Sequence, residues 1–521
     1  MSSGVFDNSR MNQTPEAPNK GISNIHNSST NSSDPSDASA TMGTRGGRKR
    51  AHASTPKEAP SYADRESRIS KENLFMALAL WMERFPATQV ARPDPSKIAA
   101  TSDAKPDPSK VEATSDAQPD PSKVAATSDA QPDPSKITAT PDPQSDPFKK
   151  VGALLVLPDD ILYAAECSRD DVHGVTRLLM KHHDMAQGCK VFVSRKPCSF
   201  CTKLLVQSKV KRVFYLPIEP EYIGLDKEKF EAEKSCVDNL FKVSAIGETT
   251  FVPRVEEEVV EASEKKKKTK TPIAALEELQ RELFKTYWEE NWMARAKDDL
   301  PWLAFDEIMK KQVESDFNGL FKWMAHVFVG SEKGYKFEAL NQNGTTSFDP
   351  AKNELDHSQA SFFITFAKFL AERTDEPTAG VGAVVINKDH EIVAIGWNGF
   401  PTKALYGEFA RASRHDASVK DKKYPYSIHA EQNALLLRNT KDFADGTLFV
   451  TKTPCDECTP LLQMQGIKTV VICGKMQNEQ RQGLSYQKFD AKVKEGIFIC
   501  FETKNADDKP EAVRAKKKLP L

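Results

Sequence analysis

The stretch "SIHAEQNALLLRNTKDFADGTLFVTKTPCDEC", Ser427–Cys458, sets one histidine, one glutamate and two cysteines in a defined frame. "HAEQNALLLRN" carries apolar residues at helical spacing, "GTLFVTKT" has strand composition, and "CDECTPLLQMQG" is helical again. His429 therefore opens one helix, and Cys455 opens the next directly after a strand. Zinc takes imidazole and thiolate ligands in tetrahedral geometry, and a catalytic site supplies three of them. His429, Cys455 and Cys458 meet that count, and a helix N-terminus favours the thiolate form of a C-x-x-C pair. Glu431, two residues beyond His429, is better placed over a zinc-activated water than on the metal itself. A carboxylate there removes the water's proton, and the hydroxide attacks an electrophilic carbon. The expected chemistry is hydrolytic.

A second stretch, "DDVHGVTRLLMKHHDMAQGCKVFVSRKPCSFC", Asp170–Cys201, repeats this layout. Twenty-five residues separate His173 from Cys198, against twenty-six from His429 to Cys455. Val175 stands where Glu431 would fall. His173, Cys198 and Cys201 are candidate ligands for a second, structural zinc, but a valine cannot carry a proton. His182 and His183 lie about two turns further along the helix and are expected on its surface.

Around both stretches the same order of elements recurs. "VGALLVLP" and "ILYAAECS" read as a strand pair about the turn Pro158-Asp159-Asp160, and "RVFYLP" as a later strand. In the second half, "QASFFITFAKFLAER" is an opening helix, "GVGAVVINKDHEIVAIGWNGF" a strand pair, and "KTVVICG" and "IFICFE" strands. Strands alternating with helices indicate an α/β layer architecture, and the repetition indicates a tandem duplication. In the first copy the opening helix, "SKENLFMALALWMERF", is amphipathic by pattern and starts at a capping serine, Ser70. It is cut off from its strands by four units such as "KPDPSKVEATSDA" at a strict 13-residue period. At least two prolines and a single Ile or Val per unit leave almost nothing to bury, so the insertion is read as extended and disordered.

These readings divide the chain into a disordered tail, 1–69, and a degenerate domain, 70–255, with the repeat insertion at 92–147. A charged linker follows at 256–275, a helical connector at 276–340, the catalytic domain at 341–505 and a basic tail at 506–521. The tryptophans of the connector are expected to be packing surface rather than a ligand platform.

Bulk composition agrees with folded domains diluted by polar segments: 39% hydrophobic residues and 32 prolines in 521 residues. Lys plus Arg (73) balances Asp plus Glu (74), so no global basic field points to nucleic acid. Nine cysteines with two C-x-x-C pairs fit a reducing compartment and metal thiolates. The other five, Cys167, Cys189, Cys236, Cys473 and Cys500, are expected to be small buried apolar residues. Neither a signal-peptide pattern nor an apolar run of about 18 residues is present, so a soluble protein is expected. Basic clusters at "RGGRKR", "KKKKTK" and "RAKKKL" are compatible with nuclear import as well as with solvated charge, leaving a cytoplasmic or nuclear location, or both.

H-x-E followed by P-C-x-x-C is the pattern of zinc nucleobase deaminases. With "GVGAVVINKDHEIVAIGWNGFP", "PYSIHAEQNALL" and "TKTPCDEC", the second copy resembles the cytidine and deoxycytidylate deaminase family. The resemblance implies two tandem cytidine-deaminase-like domains, each a central five-stranded mixed sheet flanked by helices. It implies Zn2+ as cofactor, Glu431 as proton shuttle and Asn398, in the "NGFP" loop, as a contact to the substrate sugar; by local sequence alone, Asn398-Gly399 reads as a hairpin turn. The expected activity is hydrolysis of a cyclic amidine C–N bond, converting a free cytosine nucleoside or nucleotide (deoxycytidine, dCMP or dCTP) to its uracil form with release of ammonia. Tyr426 and Ile428 are candidates for pocket lining or core, and Lys403, Arg411, Arg414 and Lys420 for phosphate contacts. A polynucleotide deaminase and a non-catalytic scaffold are the alternatives, and a homo-oligomer is expected from the family.

Overall fold

The duplicated pattern folds into two mixed sheets with the same strand order. The computed structural model describes residues 68–86, 150–169, 172–216, 227–266, 273–293, 306–328, 335–341, 346–376, 379–401, 409–411, 418–478, 480–481 and 484–505. All of them belong to one unit, Glu58–Leu521. The N-terminal tail up to residue 67, the 13-residue repeats, and Lys403 and Arg414 lie outside the described residues. So do the clusters at 45–50 and 514–519, and 267–270 of the cluster at 265–270.

The first sheet comprises β1 (Gly152–Val156), β2 (Leu162–Cys167), β3 (Lys190–Val193), β4 (Arg212–Tyr215) and β5 (Gly247–Thr250) in the order β2-β1-β3-β4-β5. β1 is antiparallel to both neighbours, whereas β3, β4 and β5 run parallel. The second sheet repeats this with β7 (Gly382–Ile386), β8 (Ile392–Trp397), β9 (Thr447–Val450), β10 (Thr469–Ile472) and β13 (Ile499–Asn505), the latter numbered after a two-residue pair at 480–481 and 484–485. It departs from the expected five strands by one. β6 (Tyr335–Ala339) lies within the stretch expected to be helical connector, yet pairs antiparallel with β13. Alternation explains this: Tyr335 and Phe337 are buried while Lys336 and Glu338 face outward.

Helix α1 (Lys71–Met82) starts at Ser70, whose side chain accepts from the Asn73 amide. It is not half-solvated as its pattern implied; ten of its twelve residues are buried. One side of α1 lies on β1 and β3, and the other meets the second copy's opening helix, Glu354–Ala371. Trp81 stacks on Phe362 at 5.3 Å and its indole N–H donates to the Phe362 carbonyl at 3.3 Å. A helix packed on two sides needs apolar residues all round.

Close backbone approach repeats in both copies. A side chain at Gly152 would come within 1.9 Å of the Ala79 carbonyl oxygen, and one at Gly382 within 1.9 Å of that of Ala367. Each opening helix therefore sits directly on its sheet at a glycine. The hairpin turns match too: Asp160 and His390 both take left-handed backbone, φ 59° and 60°.

The stretch expected to be a charged linker contains a helix, Glu257–Lys266, with Val259, Val260 and Ser263 buried. Its apolar face packs on the long helix Glu307–Phe328. Trp288 and Trp323 of the connector are buried in the central core, as packing surface should be. Among the described residues, no helix is long and apolar enough to cross a membrane.

Because that core draws side chains from α1, both sheets and the connector, the copies should unfold together. Trp81→Ala is expected to destabilise the chain by about 3–5 kcal/mol. Calorimetry should show one transition moved to lower temperature, and two separated transitions would contradict a shared core.

Candidate active site

The site grows from the contact between β8 and helix Ala430–Leu436. A Cβ at Gly396 would lie 2.4 Å from the Ala434 nitrogen and 2.5 Å from the Ala430 oxygen, so the helix rests on bare backbone. Ala430 and Ala434 are completely buried. His429 is the N-cap, its amide held by Gln432 Oε1 at 3.0 Å, with Glu431 in the first turn. β9 ends at Val450, and the next helix, Cys458–Met464, opens at the second cysteine rather than at Cys455 as expected; Cys455 lies in the turn before it, where its carbonyl accepts from the Thr459 amide at 2.9 Å.

These two helix starts bring the predicted ligands together. His429 Nδ1 stands 3.2 Å from Cys455 Sγ and 3.3 Å from Cys458 Sγ. Tetrahedral zinc with ordinary bond lengths holds nitrogen and sulfur ligands about 3.5 Å apart. Three soft donors within 4.8 Å of one another, both sulfurs buried, fit that ion. Glu431 is buried in the first turn of the helix that His429 caps.

Burial pushes the Glu431 carboxyl up to about 7, against the opposing pull of His429. A divalent cation alongside would draw it down again. The hydrogen bond from Cys458 holds Cys455 far below the usual thiol range, at about 4, and Cys458 is correspondingly raised. Burial opposes charge on His429, but its contact with Cys455 outweighs this and raises it to about 9.

The first copy assembles the same trio. His173 Nδ1 lies 3.3 Å from both Cys198 Sγ and Cys201 Sγ, and the three again fall within 4.8 Å. Contact with Cys201 holds Cys198 at about 4. Val175 is buried in the apolar core beside them. His182, expected on the surface, is instead buried at the end of its helix, edge-on to Tyr163 at 5.5 Å; His183 is exposed. Of the five remaining cysteines, Cys167, Cys189 and Cys500 are buried, Cys473 half-buried and Cys236 exposed on helix Lys227–Lys242.

The "NGFP" segment is not a tight turn. Gly399 pairs with Ile428 in an isolated antiparallel bridge, N–O 3.0 and 2.8 Å, which encloses residues 400–427. The equivalent bridge in the first copy, Arg169 with Val172, encloses only two residues. Asn398 is buried; its Oδ1 accepts from the Val381 amide at 2.7 Å and its Nδ2 donates to the Ala379 carbonyl at 2.9 Å. Ser168 holds the Val151 amide in the same way at 2.9 Å. Tyr426 and Ile428 are half-buried. Arg411 donates to the Asp375 carbonyl at 3.0 Å and covers the Phe400 ring, while Lys420 is exposed. Lys423 and Lys452 were not singled out by sequence, because neither has a motif. Lys423 is buried and paired with Glu376.

Residues 357–474 match the cytidine and deoxycytidylate deaminase zinc-binding region. Over 157 residues the chain is 31% identical to deoxycytidylate deaminase of Homo sapiens, spanning 28% of this chain and 86% of that protein. The chain belongs to the cytidine and deoxycytidylate deaminase family. It is also similar to cytidine and dCMP deaminase domain-containing protein 1 of Danio rerio, 23% identical over 482 residues, 81% of this chain and 88% of that one. A solved structure of dCMP deaminase from the cyanophage S-TIM5, in apo form, aligns with 27% of this chain and 94% of its own at 23% identity and a TM-score of 0.20. The zinc-binding description of the family agrees with the His and Cys donors of the second copy, and its range contains every one of them.

Gly396→Val should drive helix Ala430–Leu436 off β8 and separate His429 from the sulfurs. Metal analysis of the purified variant is expected to show zinc lost from the second site; full retention would contradict this account.

Proposed function

We propose that this chain deaminates free cytosine nucleosides or nucleotides hydrolytically, with His429, Cys455 and Cys458 holding the catalytic zinc. The observation that carries this reading is the burial of Glu431 against three converging soft donors. Zinc held there supplies a Lewis acid that activates water at neutral pH.

Replacing the C4 amino group of cytosine by an oxygen from water requires a proton at ring N3 and another on the departing ammonia. Glu431 is the group that takes protons from water and delivers them to these two positions. Its burial beside the three donors supports that role, since the carboxyl is kept from bulk solvent next to the position where the ion would hold its water. Cys455 and Cys458 would hold a cation as thiolates, so binding releases protons. Asn398 stands one residue before the Gly399–Ile428 bridge that leads into His429, and an amide with two N–H groups and two lone pairs keeps capacity for a sugar hydroxyl.

The first copy has the ligands without the carboxylate and without the long loop, so its metal is assigned a structural role. Balanced charge favours a free nucleotide over a polynucleotide, which would need a basic groove.

Glu431→Gln should reduce turnover of cytosine substrates by at least about a hundredfold in an ammonia-release assay while zinc content and melting temperature stay near wild type. Undiminished turnover would remove the proposed mechanism. Metal analysis of the wild-type chain is expected to give two zinc ions, and the double variant Cys198→Ser/Cys201→Ser one. A single ion in the wild type would eliminate the structural site.

A further inference from the structure

The two copies hold their cysteine ligands in different surroundings. In the first, Cys198 and Cys201 belong to the apolar core of the sheet, in one cluster with Val175, Val193 and Leu205. In the second, Cys455 and Cys458 stand apart from the core of their sheet. They form a separate cluster with one other buried residue, Tyr486, against which Leu484 packs. Tyr486 is only 5% exposed, although it directly follows a small hairpin, 480–481 with 484–485, that belongs to neither main sheet.

Hydrogen bonds explain how that ring comes to lie there. Asp456 stands between the two cysteines, and its amide donates to the Ser485 carbonyl at 2.8 Å. Its Oδ1 accepts from the Lys488 amide at 2.7 Å. A single residue of the C-x-x-C turn is therefore tied to the chain on both sides of Tyr486, which is the N-cap of helix Gln487–Lys494. That helix is itself anchored: Phe489 is buried in the sheet core and stacks on Phe498 at 5.5 Å. The first copy holds its turn by a different device. Ser199, the residue after its first cysteine, donates its amide and its hydroxyl to the Glu233 carboxylate, at 2.6 and 2.9 Å.

The apolar shell of a metal site controls how water reaches the ligands, and polarizable sulfur packs favourably on an aromatic ring. In the first copy this shell is the core of the sheet. In the second it is one ring on a separate segment. Tyr486 is no part of the sheet core, so its removal exposes the sulfurs while the sheet keeps its packing.

We propose that Tyr486 is a positioning residue of the second copy: its ring covers Cys455 and Cys458 and steadies the turn between them so that zinc is held firmly, with Asp456 as the clip that seats it. This rests on the zinc-bearing reading of His429, Cys455 and Cys458 above and deepens it, since retention of the catalytic metal is assigned to a segment beyond β10. The contribution assigned is that of the ring and not of the hydroxyl.

The test uses the full-length, zinc-loaded chain and follows zinc release to a chromogenic chelator without substrate, comparing wild type with Tyr486→Ala, Tyr486→Phe and Asp456→Ala. The second-copy phase is identified as the one that remains in Cys198→Ser/Cys201→Ser. Tyr486→Ala is expected to release this zinc at least about tenfold faster, the usual scale for losing an outer contact of a metal site. Asp456→Ala should accelerate release by a smaller factor, Tyr486→Phe should behave as wild type, and the first-copy phase should not change. An unaltered second-copy phase in Tyr486→Ala, or equal acceleration of both phases, would overturn the proposal. Release from Tyr486→Phe as fast as from Tyr486→Ala would also overturn it, by moving the effect to the hydroxyl. Should Tyr486→Ala not fold, Asp456→Ala decides, and release at the wild-type rate there rejects the cover. A wild-type chain without zinc in the second copy would remove the deaminase reading and the cover together, whereas a zinc-bearing, active wild type whose Tyr486→Ala variant keeps its metal equally well rejects the cover alone.

Discussion

The His429, Cys455 and Cys458 cluster depends on a contact in which no side chain larger than a methyl group takes part. Helix Ala430–Leu436 lies on β8 where Gly396 has no Cβ, and two alanines make the facing surface of the helix. That closeness lets a one-residue N-cap, His429, reach the sulfurs that follow β9 while Glu431, two residues beyond, is buried beside them. The desolvation that raises the Glu431 carboxyl follows from the same packing. Geometry and protonation state therefore have one cause.

The same device, a glycine meeting helix backbone, seats the opening helix of each copy, yet the outcome is one body rather than two. α1 is covered by its own sheet and by the opening helix of the second copy, which removes the solvated face an outer helix would keep. At the other end of this interface, edge strands β2 and β8 lie against each other, and Glu166 and Glu391 share Lys181, at 2.5 and 2.6 Å, together with Arg169 at 3.6 Å from each. Asn439, just beyond the active-site helix, donates to the Tyr163 carbonyl of β2. Such buried ionic groups contribute more to a unique docking geometry than to net stability. The first copy thus buttresses the strand on which the second copy's helix rests.

Duplication also separates what a metal site needs from what a reaction needs. His173, Cys198 and Cys201 retain the spacing of their counterparts to about 0.1 Å in nitrogen–sulfur distance. Around them, a valine fills the carboxylate position, and the bridge at Arg169 and Val172 encloses two residues instead of twenty-eight.

Sequence alone determined the donor set, the order of elements and the duplication, because these depend on short-range spacing: a C-x-x-C pair, an H-x-E triplet, and apolar periods of two and 3.6. It also marked Val175 as standing in the first copy where the second has Glu431. It did not reveal that 335–339 is a strand or that 257–266 is a packed helix, since both lie in polar surroundings whose few apolar residues acquire meaning only against β13 and Glu307–Phe328. His182 read as surface because its buried neighbour, Tyr163, lies on another strand. Tyr486 carried no signal at all. A tyrosine in a polar stretch is ordinary until the fold shows that Asp456, about thirty positions earlier, holds the residues on either side of it and so sets its ring against two sulfurs, a placement decided only in three dimensions.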